Sequence, residues 1–153
     1  MATTNEHGLL QSEIAGWLQP FCDSESTRYE IDKPWRMGDY VYATNGIVCV
    51  RIADDGEWEE SQKKKPNAEA LYAKFPKDGF APLRGDRLIW CEHDARMSLT
   101  INHNSVVGLE WLAAICKLAT QCGEEPMVAE PLKNSLVIPI RVGPFEILLM
   151  PRR

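Results

Sequence analysis

From Met1 to Thr27 the chain carries no lysine or arginine. A surface that binds nucleic acid uses clustered cations to release counterions from phosphates, so this stretch is excluded as a nucleic-acid footprint. Histidine is scarce as well. His7, His93 and His103 are the only three, and none stands beside a serine or cysteine nucleophile with a supporting acid. The Gly-x-x-x-x-Gly-Lys-Ser/Thr phosphate loop, the His-Glu-x-x-His zinc helix, the Gly-x-Ser-x-Gly elbow and the dinucleotide fingerprint are all missing. The expectation is a protein that is not an enzyme and needs no cofactor. No run approaches the roughly 20 apolar residues of a membrane-spanning helix. Met1 to Glu6 lacks the basic and apolar regions of a secretory signal, so a cytoplasmic protein with no membrane partner is expected.

What is present fits one ordinary domain. The 153 residues, 44% apolar and 25% charged, suffice to bury a core without staples. The cysteines, Cys22, Cys49, Cys91, Cys116 and Cys122, are odd in number and lie mostly in apolar segments, which points to reduced core thiols. Cys91-x-His93 with Cys116 and Cys122 is the one set with zinc-like chemistry, but the spacing is tighter than zinc sites use, and no metal is expected. The net charge of −5 is unevenly spread. Residues 1–62 hold 4 basic and 12 acidic groups, residues 63–87 hold 7 and 3, and residues 88–153 hold 6 and 7. The Lys63-Lys64-Lys65 run is the one candidate contact for phosphate or an acidic surface, although Glu57, Glu59 and Glu60 just upstream favour a solvated loop. Trp58, flanked by Asp54, Asp55 and those glutamates, is a candidate partner anchor, with packing onto the domain as the alternative.

Hydrophobic spacing predicts a helix over residues 6–19, ended near Pro20, and a strand over Arg28–Asp32. A turn at Met37-Gly38-Asp39 precedes strands at 40–44 and 47–52, joined by Asn45-Gly46 in a two-residue type I′ hairpin. A charged, variable insert is expected over about 54–87, with a short helix at 67–75 capped by Asn67 and stopped by Pro76. Strands follow at 88–91 and 97–101. A second helix is capped by Ser105, shares one face among Val106, Leu109, Leu112, Ala113 and Cys116, and stops at Gly123. Trp17, Trp90 and Trp111 are read as core. The closing hairpin runs over 136–142 and 145–150 through Gly143-Pro144, with Pro139 marking an edge or bulge. The class is α+β, and the element order reads as two similar halves, each a helix with antiparallel strands.

Arg28-Tyr29-Glu30-Ile31-Asp32, followed by Ala43-Thr44-Asn45-Gly46-Ile47-Val48-Cys49-Val50, resembles the middle domain of the bacterial replicative sliding clamp. There the pattern is Arg-Tyr-Tyr-Leu-Asn, a turn, then Ala-Thr-Asp-Gly-His-Arg-Leu-Ala. Leu148-Leu149-Met150-Pro151-Arg152-Arg153 similarly resembles the clamp's last strand and its Met-Pro-Met-Arg terminus. The same landmarks around a variable middle resemble a group of phage and prophage proteins. The resemblance implies a single clamp-like domain over 1–153. It also implies a partner-binding surface at Thr44, Gly46 and Cys49 with Met150, Pro151 and Arg152, because those positions line a peptide pocket in the family. Ile47 and Val48 stand where the family has His-Arg, and Arg152 stands where it has methionine. The first helix has no cation and the second only Lys117, which argues against direct DNA binding.

Two functions follow from this reading. One is a phage-type accessory module in DNA replication or recombination that docks a protein partner. The other is a phage-encoded inhibitor of a host nuclease or defence complex, with the acidic N-terminal part imitating DNA. Homo-oligomerisation into a ring stays open.

Overall fold

The computed structural model describes residues 9–23, 31–54, 56, 58, 66–83, 88–93, 96–101, 105–133 and 136–151. For 88–93, 96–101, 105, 106 and 109 the backbone alone is described. The class is α+β, with three α-helices and antiparallel strand pairs among the described residues. The chain divides into two compact units, Met1–Phe75 with Pro144–Glu146, and Pro76–Gly143 with Ile147–Arg153.

In the first unit α1 spans Gln11–Leu18 and passes into a 3-10 turn over Gln19–Phe21. Residues 6–8 of the predicted helix lie outside the described residues. The Glu13 carboxylate accepts from the Leu10 N–H at 3.2 Å, half of a capping box, while Leu10 has no side-chain oxygen to complete it. Pro20 ends the α-helix but not the turning chain, since it sits near the start of a 3-10 segment where its missing N–H is not needed.

Strands β1 (Trp35–Met37), β2 (Tyr40–Thr44) and β3 (Val48–Ala53) form an antiparallel meander, with Trp35 opposite Tyr42 and Tyr42 opposite Arg51. The predicted strand at 28–32 is not found in its described part. Ile31 makes only an isolated bridge to Asp23, and Asp32 is in a bend. The preceding strand that pairs with β2 is β1, which begins three residues after Asp32.

The type I′ turn is corrected too. Positive φ is found at Gly46 (φ +88) and not at Asn45, so the pair of left-handed residues that type I′ requires does not form. The turn instead centres on Gly46-Ile47. Asn45 N–H donates to the Val48 carbonyl, and the Asn45 side-chain oxygen accepts from the N–H groups of both Ile47 and Val48 at 2.9 and 3.0 Å.

Side-chain alternation gives the meander two faces. Val41, Ala43, Val48, Val50 and Ile52 share one, on which the α1 segment packs Ile14, Leu18 and Phe21, and the Trp17 ring meets Phe145 edge-on at 6.2 Å. Tyr40, Tyr42, Cys49 and Arg51 share the other. That face is covered by α2 (Ala68–Leu71) and a 3-10 turn over Tyr72–Lys74, which bring Tyr72 onto it. As expected, Asn67 caps α2, accepting from Ala70 N–H at 3.3 Å.

In the second unit β5 (Leu88–His93), β6 (Arg96–Ile101) and β7 (Ser105–Gly108) form a three-stranded antiparallel sheet. Ser105 therefore begins a strand and caps no helix. Helix α3 (Leu109–Cys122) starts after Gly108, and Gly123 closes it in the left-handed conformation (φ +68), as expected. Its buried face is Leu112, Ile115, Leu118 and Ala119, whereas Ala113 and Cys116 are exposed and Val106 lies in β7. Val106 drops out because it precedes the helix, and the buried stripe runs through Leu112, Ile115, Leu118 and Ala119, to one side of the face expected from the sequence, which leaves Ala113 and Cys116 outside it. The core thiol expectation holds for Cys49 and fails for Cys116.

The remaining strands are β4 (Ala81–Pro82), β8 (Pro126–Val128), β9 (Ile138–Val142) and β10 (Phe145–Leu149). β4 pairs with β8, and β8 with β9. Pro139 is buried in a strand flanked by β8 and β10, not at an edge. It is tolerated one residue inside the start of β9, where its carbonyl still accepts from Ala129 N–H at 3.1 Å. Among the described residues no helix is long and apolar enough to cross a membrane.

Candidate functional site

The densest arrangement of polar side chains lies on the second face of the β2–β3 meander. Arg51 projects there because it alternates with Val50 and Ile52, and its guanidinium lies between two rings, 3.9 Å from the centre of Tyr40 and 4.2 Å from that of Tyr72. The Arg51 Nε donates to Glu146 Oε1 at 2.8 Å, with the two side chains only 13% and 20% exposed. Tyr42 stacks on Trp35 and tilts against Tyr40 and Tyr72, whose ring in turn meets Phe75. The Tyr72 hydroxyl lies 2.9 Å from the carbonyl oxygens of both Cys49 and Glu146, so its single proton is shared between two strands.

Burial raises the Tyr72 hydroxyl well above its ordinary value and pushes the Cys49 thiol up to about 11. Burial also raises Tyr42, whose hydroxyl is enclosed beside Arg51 without a well-formed hydrogen bond. Arg51 would be lowered by its own burial, but the Glu146 carboxylate bonded to it and the Tyr42 hydroxyl oxygen beside it outweigh that and hold it cationic. Tyr42, Cys49 and Tyr72 are thereby held neutral, and Arg51 cationic, at neutral pH. A thiol in this state is a poor nucleophile. The cluster ties β3 and β10 to the turn that follows α2.

The sequence-selected residues fall in different environments. Thr44 is half-buried with its hydroxyl used twice inside the turn, donating to the Val48 carbonyl at 2.9 Å and accepting from Gly46 N–H at 3.1 Å. Cys49 is buried and Gly46 is exposed. The apolar group that this hairpin offers to solvent is Ile47, 42% exposed, a residue that the pocket assignment passed over. An isoleucine inside the turn itself, where the clamp pattern is polar, was the available signal. In the second unit Met150 is 41% exposed and Pro151 half-buried, while Arg152 lies outside the described residues.

Leu136, just before β9, was not singled out by the sequence and is 61% exposed with φ +60. A left-handed leucine costs on the order of 1–2 kcal/mol. It is held there by Leu136 N–H to Leu132 O at 2.9 Å and Leu132 N–H to Val137 O at 2.8 Å.

Trp58 is half-buried, and its indole N–H donates to the buried carboxylate of Asp54 at 2.6 Å. Asp54 also accepts from Gly56 N–H at 3.3 Å, and Arg36 Nη1 holds the Gly56 carbonyl at 2.8 Å. The polar end of Trp58 is thus engaged within its own unit. Lys63, Lys64 and Lys65 lie outside the described residues, as do the side chains of Trp90, Cys91 and His93. Cys122 is half-buried with its thiol directed at the Leu118 carbonyl, 3.0 Å away. Among the described residues no group of three or more His, Cys, Asp or Glu is placed to hold a metal ion.

A scan of family models, a search of characterised proteins and a search of solved structures each return no match to this chain. The clamp resemblance therefore rests on the short motifs themselves.

Proposed function

We propose that this protein acts by binding another protein, with no chemistry of its own. The observation that carries the reading is Ile47. It is a large apolar side chain facing solvent from a turn that three Asn45 hydrogen bonds hold in one shape, so little ordering entropy is lost when a partner covers it. Met150 and Leu136 supply further exposed apolar groups in the second unit. The finer assignment, an accessory module in phage-type DNA replication or recombination, takes its support from the motif resemblance at 28–32, 43–50 and 148–153.

Affinity capture from the natural host, run in parallel with the wild type, Ile47→Asp and Met150→Asp, tests the reading. The expected result is a polymerase or recombination subunit retained by the wild type and lost from one aspartate variant at unchanged thermal stability. Retention of a defence nuclease would move the function to the inhibitor reading, and equal retention by all three proteins would remove these side chains from the interface. Submicromolar duplex affinity with a steep salt slope would overturn the argument against direct DNA binding.

A further inference from the structure

We draw no further inference here: the strongest candidate, the Arg51 side-chain cluster on the Tyr40 and Tyr42 face of β2 and β3, has its charge met by Glu146 and its faces filled by Tyr40 and Tyr72, and nothing in the structure points to a ligand for it.

Discussion

The two faces of the β2–β3 meander are both buried, yet they are held by different physics. On the face under α1 and its 3-10 turn, Val41, Val50 and Ile52 are buried, as are Ile14, Leu18 and Phe21, and these side chains carry no polar atom to satisfy, so removal from water stabilises it whatever the detailed geometry. On the face under Tyr72, an arginine, a glutamate and three tyrosines are enclosed, and each polar atom there is costly unless its partner is in place. The difference teaches that one face tolerates change in proportion to volume lost, whereas the other should respond to the loss of partners.

The largest expected effect lies on the apolar face. Ile52→Ala removes a fully buried side chain and should cost about 3–4 kcal/mol. It should appear as a lowered urea midpoint at unchanged slope. A cost under about 1 kcal/mol would mean that this face is not close-packed.

Next comes the charged pair. Arg51→Met should cost about 2–3 kcal/mol, because it leaves the Glu146 carboxylate with little solvent and no cation. Adding Glu146→Leu should recover most of that loss, since removing both charges removes the unmet demand. If the double variant is no more stable than Arg51→Met, the polar face is held by shape and not by pairing.

An alkaline titration separates the faces without mutation. Cys49 has its folded pKa raised from 9.0 to about 11, so the fold favours its neutral form. That stability is fully present below pH 9 and is lost as pH rises through 9 toward 11. It amounts to about 2–3 kcal/mol at the two-unit shift. Tyr72, raised for the same reason, acts in the same direction. Unfolding free energy measured from pH 7 to 11 should fall over this window, and Cys49→Ala should flatten the fall. An unchanged slope in that variant would show that Cys49 does not contribute.

The smallest effect is expected from Tyr72→Phe. The ring and its contacts stay, and the shared proton between two carbonyls is lost, for about 1 kcal/mol. A loss above about 3 kcal/mol would mark this hydroxyl as the main tie between α2 and the strands.

Local signals were read well where one residue decides the backbone. Asn67 and Gly123 behave as caps, Gly38-Asp39 turns, and the Leu88 to Ile101 hairpin forms near its predicted bounds. They were misread where two readings use the same residue. Ser105 is as good a strand residue before a helix as it is a cap, and only the pairing of β7 with β6 decides between them. The Asn45-Gly46 pair fits type I′ turns, but the Asn45 side chain instead bonds the two N–H groups beyond Gly46 and shifts the turn by one residue. β4 and β8 are two and three residues long and carry prolines, so they have no periodicity to detect.

The site divides similarly. Sequence alone determined the α+β class, the hairpin positions, the Asn67 cap and the Gly123 stop, because those follow from spacing, turn chemistry and the alternation of side chains along a chain. It also marked the hairpin at 44–49 as a place to look. Only tertiary structure decided that Cys49 is sealed while Ile47 is open and that Arg51 is clasped between Tyr40 and Tyr72. The reason is that burial and pairing belong to groups far apart in the chain: Arg51 meets a glutamate 95 residues away. A local pattern carries no record of such a partner.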